Sequence, residues 1–120
     1  MFARRRIEAI TPRRASDRFF TGEIVLVDVR TRAEYEQVRV PGAVHIPLHE
    51  VRDRLDELRT DHAIAFLCRS GHRSALAARR AAKQRDDVLN VSGGMNAWLA
   101  AGLPSARCPV SRASERRSHR

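Results

Sequence analysis

Ala63-Ile64-Ala65-Phe66-Leu67-Cys68-Arg69-Ser70-Gly71-His72-Arg73-Ser74 is the stretch whose reading decides the fold. Its first five residues are apolar without interruption, the pattern of a strand buried on both faces. An Ala-rich helix is predicted from Ser74 to about Arg85, so the glycine-bearing loop joins a strand to a helix N-terminus. That order is half of a βα unit, and it places Cys68 where such units present functional groups.

The same alternation extends in both directions. Toward the N-terminus, Ile24-Val25-Leu26-Val27 is a second fully apolar strand whose C-terminal edge is marked by Asp28. Ahead of it, an extended segment from Ile7 to Ile10 feeds a helix that Thr11 caps, Pro12 opens and Gly22 follows, running to about Phe20. Thr31 with Glu34 three residues on predicts a capping box for a short helix over 32–36. Pro41-Gly42 turns the chain into a brief strand, 43–46, stopped by Pro47, and a helix from His49 to Leu58 sets Val51, Leu55 and Leu58 on one face. Toward the C-terminus, a strand over 88–91, a Gly93-Gly94 turn and a helix from Met95 to Ala101 complete the pattern. The fold class is therefore α/β, a parallel sheet covered by helices, with ligands expected at the C-terminal strand edges. One domain over 1–104 is expected, followed by a basic tail, 105–120, without periodicity and expected to be disordered.

Composition narrows the function classes. The chain has 120 residues, 42% of them hydrophobic and only 5% aromatic, which suits one core built from aliphatic side chains. A net charge of +9 and a pI near 11.4 would ordinarily point to nucleic acid or an anionic membrane. Of the 23 basic residues only Lys83 is lysine, and the arginines are scattered, which reads as the coding bias of a GC-rich genome rather than a phosphate-binding patch. No specific nucleic-acid partner and no membrane are expected. Arg4-Arg5-Arg6 is not followed by an apolar stretch, and Cys68 and Cys108 do not form a disulfide framework, so a cytoplasmic location is expected.

The loop itself favours an anion. Backbone N–H groups at a helix N-terminus converge there, and a cysteine at that point has its thiolate stabilised. Arg69, His72 and Arg73 supply cations, Gly71 allows the close backbone path, and Ser70 and Ser74 offer hydroxyls. The same groups would hold a persulfide anion, which points to nucleophilic sulfur chemistry at Cys68 with Arg69, Ser70, Gly71, His72, Arg73 and Ser74 forming the substrate cradle. His45 and His49 are separated by Pro47 and are not read as metal ligands, so no metal is expected. Cys108, beside Pro109, is read as incidental, and Trp98 as a core anchor.

Val27-Asp28-Val29-Arg30, Glu34-Tyr35, Pro41-Gly42-Ala43-Val44-His45-Ile46-Pro47, the Cys68 loop and Gly93-Gly94-Met95-Asn96-Ala97-Trp98 follow one another in an order that resembles rhodanese-like domains. The resemblance covers about Ile10 to Pro104 and implies a five-stranded parallel sheet with helices on both faces. It also implies a sulfurtransferase that moves sulfane sulfur from an anionic donor, thiosulfate or a persulfide, through a Cys68 persulfide to cyanide or a thiol, without a cofactor. A sulfur-relay protein is a further partner of that class. Asp28 and Arg30 are implied to anchor the first long strand to neighbouring loops. The sequence departs from the common pattern at Val38-Arg39, where a Gly-His pair is usual, and this is read as a surface turn variation. Phosphatases and arsenate reductases use a related loop that is one residue longer, whereas here only Arg69, Ser70, Gly71 and His72 separate Cys68 from Arg73. The shorter cradle favours sulfur over a tetrahedral oxyanion. A non-catalytic binding module of the same family would lack the cysteine.

Overall fold

The computed structural model describes residues 7–58 and 60–107. Strand β1 (Glu8–Ile10) leads into helix α1 (Pro12–Phe20), where the Thr11 hydroxyl accepts the Arg14 N–H at 3.2 Å and Pro12 takes a position that needs no donor. β2 (Ile24–Asp28) follows, then α2 (Arg32–Gln37), opened by reciprocal bonds between Thr31 and Glu34. The order continues through β3 (Val38–Arg39), β4 (Val44–His45), α3 (Val51–Arg54) and β5 (Ala63–Leu67). It ends, among the described residues, with α4 (His72–Ala81), β6 (Val88–Val91), α5 (Gly94–Ala100) and β7 (Ala106–Arg107).

Five strands form one parallel sheet in the order β1-β6-β5-β2-β4. β2 and β5 lie side by side at its centre, with Ile24 beside Ala63 and Asp28 beside Leu67. Their uninterrupted apolar sequence follows from this position, because successive side chains point to opposite faces and both faces are covered. Val27, Ile64 and Phe66 pack with α3 and α4 through Val51, Ala77, Ala78 and Ala81. Leu26, Ala65 and Leu67 pack with α1 and α5 through Ala15, Met95 and Trp98. Trp98 is fully buried and its indole N–H donates to the Pro104 carbonyl at 2.8 Å, so it anchors the end of the domain to the core.

Several boundaries differ from the sequence expectation, each for a local reason. α4 begins at His72 rather than Ser74 because Gly71, at φ 109°, supplies the cap. It stops at Ala81 rather than Arg85, and the chain runs on through turns in which the Gln84 and Arg85 N–H groups both donate to the Ala81 carbonyl, at 2.9 and 3.0 Å, while the Arg85 guanidinium bonds Asp87 and the carbonyls of Thr60 and His62. The expected helix from His49 to Leu58 is one short α-helical turn between two 3₁₀ turns, yet Val51, Leu55 and Leu58 are all buried, as their spacing required.

Val38-Arg39 is not a surface turn. It pairs antiparallel with β7, Val38 against Arg107 and Arg39 against Ala106, so ordered pairing continues past the boundary drawn at Pro104. The remainder of the expected tail, with Cys108, lies outside the described residues. Among the described residues no helix is long and apolar enough to cross a membrane.

Candidate functional site

The two central strands send the chain in opposite directions. β2 is followed by its neighbour β4 on one side, and β5 by β6 on the other, so a crevice opens between the carboxyl ends of β2 and β5. Asp28 and Arg30 stand at one lip of it and Cys68 at the other. The lips are joined by the Val29 N–H, which donates to the Leu67 carbonyl at 2.9 Å.

Cys68 is buried, and its sulfur is the acceptor of two bonds: the Gly71 N–H at 3.0 Å and the Ser74 hydroxyl at 3.3 Å. Burial pushes the thiol pKa up, but the Ser74 hydroxyl and the N–H groups of Ser74, Gly71 and Ser70 outweigh it and hold Cys68 below its ordinary value. The thiolate is thus stabilised mainly by one hydroxyl and the loop amides, and the Arg73 guanidinium adds a charge–charge attraction to it. Gly71 is required here by its backbone, since φ 109° is a conformation side-chain-bearing residues avoid.

The other predicted residues divide into inner and outer groups. Arg69, Ser70 and His72 are exposed, with the Ser70 hydroxyl 3.1 Å from His72 Nδ1. They form the rim of the cradle. Arg73 is half-buried, but its guanidinium donates to both Glu34 oxygens, at 2.7 and 2.9 Å, so its charge is balanced and it is not a free cation of the loop.

Hydrogen bonding to Arg73 takes the Glu34 carboxyl from 4.5 to about 2. A depressed carboxyl contributes stability that is complete above pH 4.5 and lost as pH falls through 2. Glu34→Gln should therefore cost at most about 1 kcal/mol near neutrality, the pair being part-exposed, and the gap from wild type should close on acidification in pH-dependent urea titrations.

Asp28 and Arg30 are both buried and meet in a fork, with Arg30 Nη2 2.8 Å and Nε 3.1 Å from Asp28 Oδ2 and Nε 3.0 Å from Oδ1. Arg30 Nη2 also donates to the Val38 carbonyl at 2.6 Å, which ties β3 to the end of β2. Arg30→Lys keeps the charge but loses the fork, and urea denaturation should show a loss of about 2 kcal/mol.

His45 stacks on Tyr35 with ring centroids 4.4 Å apart, and its Nε2 lies 2.8 Å from the Arg30 carbonyl. His49 is exposed beside Glu50.

Asn90 and Gly94 also stand against the Cys68 loop, although the sequence places Asn90 only in a strand and Gly94 only in a turn. The Asn90 amide donates to the Gly71 carbonyl at 3.2 Å, and its oxygen lies 2.6 Å from the Ser74 hydroxyl. The single Ser74 proton is therefore shared between Asn90 and the Cys68 sulfur. The legible signal was a lone amide in the apolar run Val88-Leu89-Asn90-Val91. Beside Phe66 in the sheet register, Asn90 shares the face on which Cys68 emerges. Gly94 lies under the loop, and the first N–H groups of α5 support it: Met95 donates to the Cys68 carbonyl at 2.7 Å and Asn96 to the Arg69 carbonyl at 3.0 Å.

The family model of the rhodanese-like domain matches residues 11–101. The chain belongs to this family. Among rhodanese-like relatives, a sulfurtransferase of Allochromatium vinosum is 40% identical over 85 residues, covering 70% of this chain and 79% of that protein. A helix-turn-helix-type transcriptional regulator of Mycobacterium tuberculosis is 40% identical over 99 residues, covering 81% of this chain but only 44% of the regulator, so the chain spans less than half of that relative's length. The solved structure of a Rhodopseudomonas palustris protein, described as of unknown function and a possible tyrosine phosphatase, superposes with a TM-score of 0.77 at 29% identity, covering 82% of this chain and 83% of that one. Sulfur transfer is the general activity that the named sulfurtransferase relatives support for this rhodanese-like chain.

Proposed function

We propose that this rhodanese-like protein carries sulfane sulfur as a persulfide on Cys68, taking it from an anionic donor such as thiosulfate and passing it to cyanide or a thiol. The observation that carries this reading is the ring of donors around one sulfur: the Gly71 N–H at 3.0 Å and the Ser74 hydroxyl at 3.3 Å. Such donors stabilise an anion both on the thiolate and, one bond further out, on the persulfide. In the first step the Cys68 thiolate attacks the outer sulfur of thiosulfate, the S–S bond to the sulfonate breaks, and sulfite leaves with the bonding pair. In the second, cyanide or a thiolate attacks the outer sulfur of the persulfide and the Cys68 thiolate is restored. Exposed Arg69 attracts the donor across the rim, so Arg69→Ala raises the donor KM with little change in kcat.

The phosphatase description of one structural neighbour offers a second reading, and the arginine of the loop weighs against it. Both terminal guanidinium nitrogens of Arg73 are bound to Glu34, and four residues rather than a longer run separate it from Cys68. Incubation with thiosulfate, followed by intact-mass measurement and thiocyanate formation with cyanide, tests the proposal. The expected result is the mass of one added sulfur on Cys68 and its removal by cyanide. Hydrolysis of an aryl phosphate with no sulfur adduct would overturn it.

A further inference from the structure

Asn90 is the one polar side chain of β6, and its two side-chain bonds go to Gly71 and Ser74, the same two residues that donate to the Cys68 sulfur. The Gly71 carbonyl can only accept, so the Asn90 NH2 faces it at 3.2 Å and the side-chain oxygen faces Ser74. That oxygen also can only accept, so the Ser74 hydroxyl is the donor in the 2.6 Å contact. Ser74 is fully buried and has one hydroxyl proton, with the Cys68 sulfur 3.3 Å away as the other acceptor.

The charge on the sulfur decides which acceptor holds that proton. A bond to an ionised group is roughly twice as strong as one between neutral groups, so the hydroxyl turns to Cys68 when the thiol ionises. A neutral sulfur is a weak acceptor, and the 2.6 Å bond to Asn90 then wins. Ionising Cys68 therefore means giving up the Asn90 bond. Loading with sulfur reverses the exchange: the Cys68 thiolate forms the bond to the outer sulfur, the donor leaves with the old bonding pair, and the negative charge passes outward. The bond from Ser74 to Sγ weakens, and the Asn90 oxygen takes the proton back. The hydroxyl only turns; no proton leaves Ser74.

The other charged groups around the sulfur do not depend on Asn90. Arg73, attracted to the thiolate, is held by Glu34; Asp28 and Arg30 close on each other; Arg69 and His72 stand on the rim. Neither β6 nor α5 carries a titratable side chain. The Gly71 carbonyl also accepts the Ala75 N–H at 3.2 Å, so it stays bonded without the Asn90 amide.

We propose that Asn90 is a positioning residue acting through Ser74: it competes with Cys68 for the hydroxyl proton, which leaves the thiolate less stabilised and more nucleophilic, and it recovers the proton as sulfur is loaded. The recovery step rests on the persulfide reading above.

The test is the pH dependence of Cys68 alkylation by iodoacetamide, resolved from Cys108 by peptide mass, in wild type, Asn90→Leu, Ser74→Ala and the double variant. Asn90→Leu keeps the shape and removes the acceptor, so the Cys68 thiol pKa is expected about half a unit below that of wild type. Ser74→Ala removes a donor and raises the pKa, and in that background Asn90→Leu should add no shift. A side chain that merely braced the loop would act in the opposite sense, because its loss would loosen the donors around the thiolate. A raised or unchanged pKa in Asn90→Leu, or an equal shift with and without Ser74, overturns the proposal. Asn90→Ala removes the same acceptor without added bulk and carries the comparison if the leucine variant does not fold. Above the thiol pKa, at a fixed ratio of thiosulfate to sulfite, intact mass should show a loading equilibrium about threefold less favourable in Asn90→Leu, and equal loading overturns the recovery step. If wild type itself takes up no sulfur, the persulfide reading fails, while the alkylation comparison still decides whether Asn90 acts through Ser74.

Discussion

Cys68→Ser is expected to abolish sulfur transfer, leaving thiocyanate formation at the rate of the reaction without enzyme and no sulfur adduct by intact mass. The serine hydroxyl meets the same donors, the Gly71 N–H and the Ser74 hydroxyl, so the site stays formed around it. What is lost is chemistry: an alcohol is not ionised near neutrality, whereas Cys68 lies below its ordinary thiol value. An oxygen at this position also cannot carry sulfane sulfur through the two displacements. The fold should survive with a loss of at most about 2 kcal/mol, because the replacement is smaller and its hydroxyl is met by donors already in place. Urea denaturation beside the activity assay separates the two effects. Full transfer by a folded Ser variant would move the sulfur carrier away from Cys68.

The parts of this structure that were legible in sequence are those where one physical demand acts alone. Two strands covered on both faces have to be apolar at every position, and Ile24 to Val27 and Ala63 to Leu67 state this without ambiguity. Thr11-Pro12 and Thr31 with Glu34 are caps whose chemistry is local, and both bonds are present. Cys68 was legible for the same reason, as a thiol in a strand-to-helix loop. Long-range partners were not. Nothing near Arg73 in sequence shows that Glu34, 39 residues earlier, neutralises it. Val38-Arg39 looks like a turn until Ala106-Arg107 comes alongside. Asn90 owes its place to the register of β6 on β5, and Gly94 to the approach of α5 beneath the loop, which only the folded chain brings about.

Gly94→Ala is the substitution expected to do the greatest structural damage at the site, costing about 4 kcal/mol. Gly94 has φ 58°, and an L-residue there costs about 1–2 kcal/mol. A Cβ would also run into the Cys68 carbonyl oxygen and sit 2.7 Å from both the carbonyl carbon and oxygen of Arg69. Those are backbone atoms, so no side chain can swing aside; either the loop or the start of α5 has to shift. Overpacking of this kind adds about 1–3 kcal/mol. A shift also breaks the bonds from the Met95 and Asn96 N–H groups, which hold the loop at the Cys68 and Arg69 carbonyls. Because Cys68 opens the loop whose Gly71 N–H meets its own sulfur, displacement should raise the thiol pKa and slow sulfur loading as well as lower the melting temperature. Gly22→Ala is the control: Gly22 has a similar φ of 83°, but nothing lies within 4 Å of its Cβ position. It should lose only the backbone cost of about 1–2 kcal/mol and keep full sulfur loading. The difference between the two variants, read by urea denaturation and by the pH dependence of Cys68 alkylation, measures what the contact between α5 and the loop contributes. Equal losses would mean that the loop is held by its own bonds and by Asn90, with no support from beneath.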